Sequence, residues 1–302
     1  MKFEEFKEKI VEGLKEIYGD DAEIETGVAL KNNGSRYNGI NIFLKDSGSR
    51  TSPVIDLDRL YTSFENGTLN IGDCVRDIYD NRTELSNSVE VEQLVEDISE
   101  WECVKDDIYP ILLSSEENSE LLERLVSMPM LDLSIVYIIR KELHGRDNVS
   151  IKITKKLLES YGMGAEQLHS QAMENMGKDG YEFQDMWSMV MKMMGMETVE
   201  EGQGIGCNKP EMYILTNRDK SYGAAGILNR ELLKEFAGDR DFIILPSSLH
   251  ETIFIPVDDD TDRVFYDNMV SEVNRNEVSV EERLADHSYY YDAGIGEIRM
   301  CA

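Results

Sequence analysis

A chain of 302 residues with 31 Lys and Arg against 60 Asp and Glu, net charge -29, has length for one large or two ordinary domains and a surface that repels phosphate backbones. Direct nucleic-acid binding is disfavoured, because it depends on Lys and Arg displacing condensed counterions. No run approaches the roughly 18 apolar residues of a membrane span, and the start Met1-Lys2-Phe3-Glu4-Glu5 lacks an apolar signal core.

Cys74, Cys103, Cys207 and Cys301 are scattered, with no Cys-x-x-Cys pair and no His at ligand spacing. A cytoplasmic protein with reduced thiols, no zinc site and no cofactor is expected.

Phe3, Phe6, Ile10, Leu14 and Ile17 recur at helical spacing up to Gly19 and predict an amphipathic helix. Two extended runs follow, Glu23 to Lys31 and Gly39 to Leu44, joined by Asn32-Asn33-Gly34-Ser35. The Asn-Gly pair favours the positive backbone angles of a tight hairpin. Pro53 to Leu57 reads as a short strand. Leu57, Leu60, Tyr61 and Phe64 then keep helical spacing until Gly67, a helix stop.

Stripes at Val91, Leu94, Val95, Ile98 and Trp101, and at Leu121, Leu122, Leu125 and Val126, predict that residues 70 to 127 are mostly helical. Leu131 to Leu143, the turn His144 to Asn148 and Val149 to Ile153 suit a second hairpin. Helices are predicted at 154 to 161, with Thr154 as N-cap, and at 165 to 176.

Six methionines surround Trp187 between Tyr181 and Met196, a composition that fills core gaps or forms an adaptable surface. Gly202-Gln203-Gly204-Ile205-Gly206 lacks the strand and Lys of a phosphate loop and reads as linker. The expected organisation is therefore a region 1–196, a soft linker 197–210 and a C-terminal region 211–302. The two regions are free to pack as one unit.

Met212 to Leu215, Phe242 to Leu245 and Thr252 to Ile255 are near-continuous apolar runs expected in the interior of a sheet. Leu228, Leu232 and Phe236 mark a helix face between the first two. A βαβ crossover results if those strands pair in parallel. Asp258 to Asp262 precede a helix marked by Phe265, Met269 and Val273. Helix capping explains these carboxylates better than calcium, whose loop would need a central Gly and a final Glu. Tyr289-Tyr290-Tyr291-Asp292 reads as a late strand.

The loop Ser247-Ser248-Leu249-His250-Glu251 sets hydroxyls, an imidazole and a carboxylate between buried strands, the ingredients of acyl transfer. No Gly-x-Ser-x-Gly elbow precedes it, and adjacent residues rarely form a triad. Ser247, Ser248, His250 and Glu251 are thus candidate catalytic residues set against a turn-satisfying role. Asn217 and Tyr222 are candidate binding residues on neighbouring loops.

Five segments carry a resemblance to a known family. They are Lys31-Asn32-Asn33-Gly34, Met130 to Tyr137, Leu215-Thr216-Asn217 with Tyr222-Gly223-Ala224-Ala225, Leu245 to Glu251, and His287 to Asp292. Nearly end to end, the chain resembles an uncharacterised family of unknown function common in anaerobic Gram-positive gut bacteria. The resemblance implies a cytoplasmic bacterial protein and brings no activity, cofactor or catalytic residue.

The expected fold is α+β: an N-terminal helix plus β-hairpin, a helical middle and a C-terminal mixed α/β sheet region. The expected function is an acidic binding or regulatory protein with a protein or small-molecule partner, rather than an enzyme. The alternatives are a hydrolase or transferase using Ser247 to Glu251, and a DNA-mimic inhibitor.

Overall fold

The computed structural model describes residues 1–45, 52–86, 93, 94, 97–141, 149–195, 211–246, 248–258 and 261–300. The chain forms two compact units, Met1–Cys103 and Val104–Ala302. The class is α+β, with antiparallel sheets and helices packed on them.

In the first unit, α1 (Phe3–Tyr18) buries Phe6, Ile10 and Leu14, three members of the predicted stripe. It lies on a sheet of order β1-β2-β3, built from Ala22–Leu30, Arg36–Leu44 and Ile55–Asp56. The hairpin register runs from Ala22↔Leu44 to Leu30↔Arg36. Its turn takes positive φ at Asn33 (54°) and Gly34 (66°), as Asn and Gly tolerate.

Helix α2 (Leu57–Glu65) starts at Asp56, whose Oδ1 accepts from Asp58 N–H (3.0 Å) and Arg59 N–H (3.1 Å). Helix α3 (Ile71–Ser86) closes the core with Cys74, Val75 and Ile78. Each fully buried Leu, Ile or Phe here stabilises by about 1.5–3 kcal/mol before chain entropy is counted. Of the predicted stripe at 91–101, Val91 and Val95 lie outside the described residues, and Trp101–Val104 forms the one-turn α4.

In the second unit, the expectation of a helical stretch up to residue 127 is corrected. Ile108–Ser114 is a strand, β4, flanked by a 3-10 turn at Lys105–Asp107 and by the short helix Ser119–Leu122 (α5), which precedes β5 (Ser127–Met130). Pro110 is tolerated because β4 is an edge strand whose ladder does not need that donor. The central strand β6 (Leu133–Lys141) pairs with β4 on one side. On the other it pairs with β5 and β7 (Val149–Lys152), placed end to end.

The predicted second hairpin is present as β6 and β7, while its turn, including His144, lies outside the described residues. Thr154 caps α6 (Lys155–Ser160) by accepting from Leu157 N–H (3.1 Å). Helix α7 (Ala165–Met176) packs on the sheet, and Asn175 Nδ2 donates to Lys105 O (2.6 Å) and Ile108 O (3.0 Å).

The larger sheet has the order β13-β12-β10-β11-β9-β8. These strands are β8 (Glu182–Asp185), β9 (Tyr213–Thr216), β10 (Phe242–Leu245), β11 (Thr252–Pro256), β12 (Tyr289–Asp292) and β13 (Glu297–Met300). The parallel pairing of the β9 and β10 segments is overturned: both pair antiparallel with β11, which lies between them. Their directions agree, but an intervening strand takes the ladder bonds.

The Met-rich segment is α8 (Met186–Met193), begun at Asp185, with Trp187 exposed. The expected linker 197–210, with Gly202 to Gly206 and Cys207, lies outside the described residues, and the β8–β9 pair joins its two sides. Helix α9 (Arg230–Ala237) buries Leu233 and Ala237. Leu228 falls instead in a 3-10 turn, Gly223–Leu228. Phe236 stacks on Phe183 with ring centroids 3.5 Å apart.

Helix α10 (Arg263–Asn276) is capped by Asp262, which accepts from Val264 and Phe265 N–H, while Asp259 and Asp260 lie outside the described residues. The buried side of α10 is Val270 and Asn274, leaving Phe265 and Val273 exposed.

Candidate functional site

Three of the sequence segments meet at the ends of β9 and β11. Thr216 Oγ1 donates to His250 O (2.8 Å), Ala224 N–H donates to Leu249 O (3.2 Å), and Tyr222 N–H donates to His250 Nδ1 (3.2 Å). Gly223 makes this approach possible: a Cβ there would lie 2.4 Å from both His250 O and Thr216 Oγ1 and 2.8 Å from Asn217 N. Asn217 braces its own loop. Its Nδ2 donates to Asp179 Oδ2 (2.8 Å) and Ser221 O (2.9 Å), and its Oδ1 accepts from Ser221 N–H (3.0 Å).

Tyr222 sits in the left-handed region at φ 54° and ψ 26°, with its ring centroid 5.7 Å from that of His250. Because His250 Nδ1 accepts a backbone N–H, the ring proton of the neutral imidazole sits on Nε2, which faces Glu282 Oε1 at 3.7 Å. Ser248 Oγ accepts from His250 N–H (3.0 Å), a local turn bond, and its N–H donates to Glu251 O (3.4 Å). Ser247 lies outside the described residues.

The structure thus gathers Asn217, Tyr222, Ser248 and His250, but neither ring nitrogen is arranged to take a proton from Ser248. The bonds seen here fix the loop and, through Gly223, the start of the 3-10 turn.

Beside this loop is a buried charge network that no local sequence pattern signals. Asp179 pairs with Arg140, and their side chains are 5% and 11% exposed. The guanidinium lies 3.9 Å from the centre of the Tyr109 ring. Burial, and then the Asp179 carboxylate, push the Tyr181 hydroxyl well above its usual range.

A second cluster joins two segments 155 residues apart. Asp132, in the turn between β5 and β6, accepts from His287 Nε2 (2.8 Å) and Tyr289 OH (2.9 Å). His287 Nδ1 lies 3.0 Å from Ser288 O. Both partners of the ring are acceptors, so both nitrogens must carry hydrogen, and the imidazolium is the form that fits. Burial opposes that charge, but the bonds to Ser288 O and Asp132 outweigh it and raise the imidazole above its ordinary value. Buried Ser288 donates its hydroxyl to Asp267 Oδ1 (2.6 Å).

The turn carrying Asp132 also borders a cavity of about 450 Å³ within the second unit. Pro129, Met130, Leu131 and Ile135 form one wall, and α7 adds His169 and Met173. Ile227, Leu228, Arg230 and Leu233 form another, with Glu297 and Ile298 of β13 completing it. Leu131 stands at its edge with φ 55° and 44% exposure. A left-handed backbone costs an L side chain roughly 1–2 kcal/mol, and such strain gathers at ligand clamps.

The polar groups of the wall are few. His169 Nδ1 is 2.9 Å from the hydroxyl of buried Tyr137, whose proton is held tightly because burial raises its pKa. Arg230 pairs loosely with Glu297 at 3.6 Å. Sequence reasoning missed this cavity because its walls come from segments scattered over some 170 residues, each of which reads as ordinary core.

Among the described residues, no group of three or more His, Cys, Asp and Glu side chains is placed to hold a metal ion. No helix among them is long and apolar enough to cross a membrane. Neither the curated proteins nor the solved structures contain a match to the chain. The model of a family of unknown function, DUF5688, matches residues 3–293, and with nearly its whole length inside that match the chain belongs to this family.

Proposed function

We propose that the chain is an acidic cytoplasmic binding protein whose small-molecule ligand occupies the cavity between α7, α9 and the β12–β13 hairpin. The observation that carries this reading is the cavity itself. Its volume of about 450 Å³ falls in the range of about 300–1,000 Å³ used for small ligands, and its walls combine many apolar side chains with a few polar ones. The left-handed Leu131 at its edge supports it, and the bonds of Asp132 to His287 and Tyr289 fix the turn that carries that residue.

Hydrolysis or group transfer at Ser247 to Glu251 would require His250 to release Tyr222 N–H before it could accept a proton from Ser248. Binding asks for no such rearrangement.

The test is a thermal-shift screen of small apolar and amphiphilic compounds on the wild type and on Met173→Trp, which fills the cavity from α7. A ligand present at about 100 times its Kd stabilises the folded state by about 2.7 kcal/mol. Compounds that raise the wild-type melting temperature and leave that of the variant unchanged support the reading. Equal shifts in both place the ligand elsewhere and refute it.

A further inference from the structure

We infer that the ligand of this cavity is a monocarboxylate with an apolar body, its head seated on the Arg230 guanidinium in exchange for Glu297. This inference rests on the cavity being a ligand site. Most of the lining is hydrocarbon or thioether, with Met130, Ile135, Met173, Ile227, Leu233 and Ile298 among it, so the body of the ligand must be apolar.

The chain carries a net charge of -29, and an anion approaches it only where a local cation offsets that field. Among the described residues, Arg230 is the one Lys or Arg on the cavity wall. Its present partner is a weak one: Arg230 and Glu297 are 3.6 Å apart with side chains 78% and 54% exposed, so water already satisfies much of both. A ligand carboxylate can offer the same guanidinium two parallel hydrogen bonds, and its apolar body is buried in the same event. Arg230 is also the first residue of α9, where the helix's positive end adds to the attraction.

His169 is a further polar side chain on the cavity wall. The Tyr137 hydroxyl and His169 Nδ1 lie 2.9 Å apart, and with the hydroxyl as donor the ring proton sits on Nε2. In that tautomer Nε2 is a donor for a ligand oxygen and no acceptor for an amine or alcohol proton. Together, a guanidinium and an N–H select oxygen acceptors and discriminate against cations.

Isothermal titration of decanoate and of decanol into the full chain, the Arg230→Gln variant and the Glu297→Gln variant tests this. Both residues are exposed, so the variants should fold, and circular dichroism checks that they do. Decanoate is expected to bind the wild type roughly tenfold more tightly than decanol, the preference of a charge-assisted pair. R230Q should erase that preference and E297Q should enlarge it.

Decanol binding as tightly as decanoate, or a preference that survives R230Q, overturns the carboxylate assignment. If Met173→Trp still abolishes both, the cavity remains a ligand site. Absence of saturable binding by either probe overturns both the assignment and the binding reading beneath it.

Discussion

Replacing Gly223 by Ala should unfasten the second unit. The added Cβ would lie 2.4 Å from His250 O, 2.4 Å from Thr216 Oγ1 and 2.8 Å from Asn217 N, and two of these atoms are backbone. A rotamer change can move only the Thr216 hydroxyl, and that hydroxyl is itself bonded to His250 O at 2.8 Å. Relief therefore demands a backbone shift that also strains the Ala224–Leu249 and Tyr222–His250 bonds.

Overpacking of this kind typically costs about 1–3 kcal/mol, and weakening of adjacent hydrogen bonds adds about 1 kcal/mol each. A cost near 3 kcal/mol is expected for G223A. For a unit the size of Val104–Ala302, this lowers its melting temperature by roughly 6–12 °C. Calorimetry on G223A reads that loss, with Gly27→Ala as the control, because a Cβ at Gly27 meets no atom within 4 Å. A G223A transition within about 1 °C of wild type would refute the argument, as would an equal loss in G27A.

Removing Asp179 should cost about 3 kcal/mol, because Asp179→Ala leaves the buried Arg140 guanidinium with only the more exposed Asp219 carboxylate, 3.8 Å from its Nε; urea denaturation giving less than about 1 kcal/mol would contradict this. Leu131→Gly should remove up to about 1 kcal/mol of backbone strain and so raise stability, while loosening the cavity wall and weakening ligand binding; a variant that is less stable than wild type argues against strain at that turn. Because folding raises the His287 pKa, its contribution is complete below the ordinary imidazole value of about 6.5 and is lost as pH rises through the higher folded value. The stability gap between wild type and His287→Gln should therefore narrow from about pH 6 to pH 8, and Asp132→Asn should lower the His287 midpoint measured by NMR; a gap that widens with pH would show the sign to be wrong.

Much of the fold was legible where a local pattern carries its own cause. Asn33-Gly34 fixed the first hairpin because those residues accept positive φ, and Thr154 and Asp262 announced helix starts by their capping oxygens. Strand β4 was not legible. Pro110 and the neighbouring leucine stripe point away from a strand, and only its place at a sheet edge makes Ile108–Ser114 one. The β9 and β10 segments read as central strands, but their order depended on β11 entering between them, which no periodicity encodes.

Around the candidate site, the local part was visible and the distant part was not. Tyr222, Ser248 and His250 do share one end of the sheet, as the loop composition implied. The bond from Tyr222 N–H to His250 Nδ1, which decides where the ring keeps its proton, depends on a backbone group with no sequence signature. Asp132 and His287 meet across 155 residues, and the apolar side chains of the cavity are of types that suit any core.

The insertion of β11 between β9 and β10 has a consequence for synthesis. When the ribosome has released the chain only as far as Leu245, β9 has β8 on one side, but β9 and β10 have no partner in each other, since the strand that joins them is still to come. Only β11, once made, links β9 on one side to β10 on the other, with β12 added beyond β10. Until residue 256 emerges, Ile214, Ile243 and Ile244 lack their ladder partners in β11. A pause in translation over that stretch would leave two strand edges open to pairing with other chains.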